Sequence, residues 1–324
     1  MAAKRPVSLS LGLILLAVAC LASGSYSLAA DRVTSVSFEF RLAGYLPDYR
    51  LAEFDLDQVS GLTDLILFSA EPTAAGGLDL SRLKSAPWEA LRQWKTRHRT
   101  RLVLCVGGWD RSAAFPAVSA SPALRRKFAQ EVVAACLARR FDGVDLDWEP
   151  PRDATEAEHY GLLLEQLRTE FQPHGLVLSI TLAAWQPLTP AAVEAVDYVQ
   201  VMAYDHPGRH STFEGAKDDI ARVLKSGAAR RKIVLGLPFY GRDIKQPHTV
   251  RTWRQIVERH PQLTGDEQDG LFLNGPETIQ RKTEWALSEK LGGVMLWELG
   301  QDVPGERSLL RHIHRTISPS TRPR

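Results

Sequence analysis

The segment Phe141-Asp142-Gly143-Val144-Asp145-Leu146-Asp147-Trp148-Glu149-Pro150 alternates apolar and acidic side chains from Val144 onward. Successive side chains of a β-strand point to opposite faces. One face therefore carries Asp145, Asp147 and Glu149, and the other Val144, Leu146 and Trp148. The apolar row suits packing against helices, while the acidic row does not. A strand in a closed barrel reconciles the two, with its apolar side outward and its carboxylates climbing the interior toward the C-terminal mouth. Asp142 has the opposite parity and falls outside the column.

Seven more apolar runs rich in Val, Ile and Leu flank this one, at 40–45, 64–69, 101–106, 176–183, 198–204, 232–239 and 293–297. Their largely continuous apolarity fits strands of a parallel sheet buried on both faces. Most gaps between them carry helical periodicity, at 87–99, 121–139, 155–171, 189–195, 216–225, 252–259, 278–290 and 308–317. Pro87 fits a first helical position, and Thr155 with Glu158 fits a capping box. Eight strands alternating with helices have the size and rhythm of an α/β (β/α)8 TIM barrel. No glycine-rich phosphate loop follows any strand, which argues against a doubly wound open sheet. About fifty residues separate strand seven from strand eight, and helices occupy much of that interval, so no large insertion is expected there.

The chain has 324 residues, with 24% charged and 44% hydrophobic side chains, enough for a sizeable core. Lys4 and Arg5 precede an uncharged apolar run and then small residues ending at Ala29-Ala30. This reads as a signal peptide over 1–30, with the catalytic domain over 31–318 and a short tail over 319–324. The run is short for a membrane span, so a secreted or periplasmic protein is expected, with lipidation at Cys20 the minor alternative. Loss of Lys4 and Arg5 brings the formal charge from +2 to zero. No basic stripe remains to attract nucleic acid. Cys105 and Cys136 sit in apolar surroundings and read as buried free thiols. His206 and His210 flank a Pro207-Gly208 turn, and no metal or other cofactor is implied.

Three carboxylates stacked in a protected interior cannot all ionise cheaply. Like charges that close raise at least one pKa. The expected result is a proton shared along the column, with Glu149 at the mouth able to stay protonated, as a general acid for a glycosidic oxygen requires. A structural acid cluster and a cation site are the alternatives. The latter lacks the polar, glycine-containing loop of a calcium site.

The run Asp142-x-x-Asp145-x-Asp147-x-Glu149 resembles the signature of glycoside hydrolase family 18, the chitinase family. Gly44-Tyr45 resembles its first strand. Val103 to Trp109 resembles its third-strand Ser-x-Gly-Gly motif, with Cys105 where Ser is usual. Met202-Ala203-Tyr204-Asp205 resembles its sixth strand, Gly236 to Arg242 its seventh, and Gly292 to Trp297 its eighth. The resemblance covers roughly 40–302. It implies that Glu149 protonates the leaving oxygen while the substrate's own N-acetyl oxygen attacks, an exception to the two-carboxylate rule. It further implies that Asp147 stabilises the acetamido group, that Asp145 shares a proton with Asp147, and that Tyr204 bonds the N-acetyl carbonyl. Trp297 becomes the floor under the sugar, and Asp142 is structural.

Tyr45, Trp109, Met202, Asp205, Tyr240 and Arg242 complete the expected substrate-binding set, and Trp185 is a further exposed-aromatic candidate. The implied partner is an N-acetylglucosamine-containing polysaccharide or oligosaccharide, bound by a monomer. Chitin or its oligomers stand first as substrate, with peptidoglycan or N-glycan cores as the alternative. A catalytically dead sugar-binding lectin is the reading from a different class. The short interval before strand eight implies an open groove that favours internal cleavage.

Overall fold

The computed structural model describes residues 40–318. The expected leader, residues 31–39 and the tail 319–324 lie outside the described residues. The eight barrel strands are Arg41–Pro47, Asp64–Pro72, Arg101–Gly107, Gly143–Asp147, Val177–Leu182, Tyr198–Val201, Ile233–Pro238 and Gly293–Trp297. All pair in parallel with their neighbours. The first strand also pairs with the last, Ala43 opposite Met295, which closes the barrel. A two-residue antiparallel strand, Leu78–Asp79, adds to the end of the second.

The parity of the acidic strand is as read. Val144, Leu146 and Trp148 join the large apolar shell between sheet and helices. Trp148 stacks on Phe115 at 5.2 Å between ring centroids and meets Tyr160 edge-on at 5.1 Å. Asp145 and Asp147 turn inward, beside the separate interior cluster that holds Tyr45, Phe68, Cys105, Tyr204 and Met295. Asp142 stays outside the column, accepting from Lys95 Nζ at 2.7 Å and from the Leu102 amide at 2.7 Å.

Helix starts follow side-chain caps. Ser121, Thr189, Thr212, Thr252 and Ser308 each accept an amide hydrogen bond in the first turn. Thr252 forms a reciprocal box with Gln255. The expected box at Thr155 does not form. Asp153 caps the helix Ala154–Phe171 instead, because its extended backbone lets it accept from the Glu156 amide. Glu156 then bonds Arg152, two residues earlier than the spacing suggested. Pro87 likewise precedes the helix Trp88–His98 rather than opening it.

Between strands seven and eight both expected helices form, and a small sheet not read from the sequence joins them. A small antiparallel sheet of Tyr240–Asp243, Val250–Thr252, Glu267–Gln268 and Leu271–Phe272 occupies the first half, together with the helix Trp253–Arg259. The helix Pro276–Ser288 follows. These strands are two to four residues long, too short to show a period in sequence. Cys105 and Cys136 are both free and buried.

Candidate active site

At the C-terminal mouth lies a cavity of about 520 Å³. It is lined by ten of the expected residues: Tyr45, Trp109, Asp147, Glu149, Met202, Tyr204, Asp205, Tyr240, Arg242 and Trp297. Asp145, the eleventh, lies one layer below and is fully buried. Phe68, Thr181 and His248 also line the cavity and were not anticipated. Trp185 is 62% exposed and lies outside the cavity lining.

Asp145 is saturated by donors. Tyr45 Oη and Thr181 Oγ1 reach Oδ2 at 2.6 and 2.9 Å. Ser179 Oγ and Gln200 Nε2 reach Oδ1 at 2.6 and 2.8 Å. Burial raises its pKa, and these bonds pull the other way. Four donors on one carboxylate favour its ionised form, but burial prevails and the pKa stays above the ordinary value. A carboxyl–carboxyl hydrogen bond joins Asp147 to Glu149. Burial, followed by the charges of Glu149 and Asp145, pushes Asp147 far above the usual carboxylate range. Glu149 rises to about 7, through burial first and the charge of Asp205 next, with its bond to Asp147 opposing. Asp147 Oδ1 is buried and has no hydrogen-bond partner.

Backbone geometry fixes where this pair sits. Gly107 and Gly108 end the third strand at φ of +100° and +104°, a region that disfavours other residues. A Cβ on Gly107 would come within 2.4 Å of the Asp147 carbonyl oxygen, and one on Gly108 within 2.3 Å of the Phe68 ring. The Gly108 amide donates to that same Asp147 oxygen at 2.6 Å. Buried Ser112 adds a second tie, its Oγ accepting from the Glu149 amide at 3.1 Å and lying 3.1 Å from the Asp147 carbonyl oxygen.

The far wall comes from strands six and seven. Asp205 accepts from Tyr240 Oη at 2.6 Å and from Arg242 Nε and Nη2 at 2.8 and 2.7 Å. Burial would raise its pKa, but contacts from His210, Tyr240 and Arg242 hold it below the ordinary value. Tyr204 meets Tyr240 edge-on at 6.2 Å. Its phenol is pushed well up by burial, then by Tyr240 and Asp205, so it remains a donor at any working pH. Trp297 forms an aromatic base with Tyr45 at 5.4 Å and Phe68 at 4.9 Å. His206 and His210 do not converge on a shared ligand. His206 bonds Asp219 at 2.7 Å, while buried His210 stacks on Tyr240.

Thr181 was legible, since Ser179 and Thr181 are the polar members of an otherwise apolar strand and share one parity. Phe68 likewise shares the inward parity of Ile66. His248 sits between two short strands of the small sheet and carries no signal in sequence.

A family model described as glycosyl hydrolases family 18 matches residues 41–302. "Chitinase 1" of Aphanocladium album is 29% identical over 282 residues, covering 69% of this chain and 67% of its own length. "Endochitinase 1" of Metarhizium anisopliae is 25% identical over 276 residues, covering 67% of this chain and 65% of its own length. The chain thus spans about two thirds of these relatives. A solved GH18 chitinase from the chitin utilization locus of Flavobacterium johnsoniae superposes with a TM-score of 0.76 at 27% identity, over 87% of this chain and 95% of that one. Catalytic domain 2 of the Ostrinia furnacalis Group II chitinase gives 0.78 at 20% identity, over 88% and 98% of the two chains, a likeness of fold alone.

Proposed function

The chain belongs to family 18 of the glycosyl hydrolases, and from that premise we propose that it cleaves β-1,4-linked N-acetylglucosamine polymers, chitin or its oligomers, with retention and by substrate assistance. One observation carries the mechanism. The cavity's carboxylates are Asp147, Glu149 and Asp205, and none is free to attack a sugar opposite Glu149. Asp147 is hydrogen-bonded to Glu149 itself, closer than the ~5 Å that a separate acid and nucleophile keep. Asp205 is held by Tyr240 and Arg242. This supports attack by the substrate's own acetamido oxygen, the route that the family resemblance implies.

In the first step Glu149 gives its proton to the glycosidic oxygen and the bond from C1 to that oxygen breaks. The acetamido carbonyl oxygen of the same sugar bonds to C1 from the opposite face, giving an oxazolinium ion. Asp147 Oδ1, buried without a partner, is the acceptor available to the acetamido N–H. Asp147 passes its shared proton toward Glu149 as that acid gives up its own, and the negative charge it then bears stabilises the forming cation. Tyr204 Oη, on the far wall, donates to the acetamido carbonyl in this reading. Water then attacks C1 from the original face and gives its proton to Glu149, opening the ring and restoring both enzyme and acetamide. Two displacements leave the anomeric configuration unchanged.

A general acid must be protonated to act, so turnover is expected to fall as pH rises through about 7. A kcat–pH profile with its alkaline limb near 5 would contradict the assignment. Stability has its own signature. Glu149 ionises at its ordinary 4.5 when unfolded but near about 7 when folded. The folded state therefore holds the proton more tightly, and stability falls as pH rises between those values. Glu149→Gln is expected to melt higher than the parent at pH 8, with the difference gone at pH 4. Equal melting curves at both pH values would sink this account of burial.

Only a small sheet and two helices lie between strands seven and eight, and Trp109 at the rim is 71% exposed. Both features favour entry of a chain at internal positions. The viscosity of a soluble chitin derivative is expected to drop before reducing ends accumulate appreciably. Release of disaccharide with little loss of viscosity would indicate action from chain ends. The uncharged leader run supports export of the protein.

A further inference from the structure

Lys282 lies in the helix Pro276–Ser288 with no exposed surface. Lysine is almost never fully buried unless paired with an acid. Here the ammonium meets only uncharged oxygens. Ser211 O lies at 2.9 Å, Ser211 Oγ at 2.8 Å and Asn274 Oδ1 at 2.8 Å. Three donors meet three acceptors, so the group is satisfied, yet the cost of desolvating its charge remains. Burial pushes its pKa down to about 7, with Asp266 and Asp219 opposing from a distance. Asn274 is the chain's single asparagine, and its Nδ2 donates back to Ser211 O at 2.7 Å.

The network ends at the cavity. Ser211 Oγ donates to the carbonyl oxygen of Ala203 at 2.9 Å, immediately before Tyr204 and Asp205. The residue before Ser211 is His210, which stacks on Tyr240 at 5.1 Å and approaches Asp205 Oδ1 at 3.4 Å. The His206 amide bonds the His210 carbonyl at 3.1 Å and closes the loop between them. A single buried cation thus ties both ends of the segment 203–211 to one helix.

We infer that Lys282 is a positioning residue, holding the segment 203–211 through Ser211 and Asn274 so that Tyr204 and Asp205 form one wall of the cavity. The inference rests on the hydrolytic reading of that cavity. Removing the ammonium leaves buried Ser211 Oγ without its donor and takes one of two partners from Ser211 O and from Asn274 Oδ1, whose remaining contact is the 3.3 Å one to Ser211 Oγ. The segment must then shift to recover partners, and displacements of about 1 Å at a reacting centre cost up to ~10²-fold in rate.

The test compares full-length parent, Lys282→Met and Ser211→Ala on N-acetylated chitotetraose, with folding followed by circular dichroism. For Lys282→Met, KM is expected to rise at least ~5-fold and kcat to fall about tenfold. A role in stability alone lowers the folded fraction and the apparent kcat but leaves KM unchanged. Folded Lys282→Met with a parental KM overturns the inference. Should that variant fail to fold, Ser211→Ala decides, since it cuts the link to Ala203 while sparing the Lys282 contacts to Ser211 O and Asn274. A raised KM in Ser211→Ala supports the inference, and an unchanged KM overturns it. A parent without turnover shows failure of the hydrolytic reading, and the positioning role falls with it.

Discussion

Glu149→Gln is expected to lower kcat on chitooligosaccharides by at least ~10²-fold while affinity for the oligomer changes by less than about threefold. Glutamine keeps the volume and one donor of the protonated acid but cannot release a proton. The leaving oxygen must then depart as an alkoxide, which a general acid prevents. Binding survives because the contact area comes from Trp297, Tyr45, Trp109 and Tyr240, which the substitution leaves alone. Calorimetric titration with the inactive variant, beside rates on a fluorogenic chitobioside, checks both halves. A variant with near-parental kcat would remove Glu149 from the chemistry. A lectin on the same barrel would show binding but no turnover in the parent as well.

Asp147→Asn should cost about as much, on the order of 10²- to 10³-fold in kcat, the range seen when one preorganised electrostatic contact is removed. The reason differs. Asparagine cannot carry the charge that stabilises an oxazolinium ion, and it changes the group bonded to Glu149. Asp147 shares its hydrogen bond with Glu149 and is buried among its carboxylate neighbours. The two substitutions act on one unit, so the double variant should be little slower than the worse single one. Fully multiplicative losses would mean that the two groups act independently. Unlike Glu149→Gln, the Asp147 variant should also weaken binding of N-acetylated sugars relative to deacetylated ones, because the unpartnered Oδ1 is the acceptor for the acetamido N–H.

The barrel and most of its mouth could be read from the chain because strands impose a period of two. Val144, Leu146 and Trp148 against Asp145 and Asp147 reveal which face is inside before any coordinate is known. The same logic extends to Ser179, Thr181 and Gln200, the polar inward members of apolar strands, which together saturate Asp145. That saturation itself was not legible. It depends on which rotamers meet across the barrel.

The small sheet between strands seven and eight escaped for a different reason, its strands being too short to establish a pattern. His248 escaped with it, since a loop residue carries no periodic signal. Lys282 was partly legible. It lies on the same helix stripe as Ile279 and Ala286, both buried, but a lone lysine on such a stripe gives no sign of what it bonds. The capping box failed by two residues because Asp153 competes with Thr155 for the helix start, and spacing alone does not rank them.

The measurement that bears most directly on the central claim is proton NMR of the products released from N-acetylated chitopentaose, recorded before mutarotation. Substrate assistance with Glu149 as the acid predicts that the newly formed reducing ends appear first as the β-anomer. First appearance of the α-anomer would mean direct attack by water on the opposite face, and would contradict the mechanism.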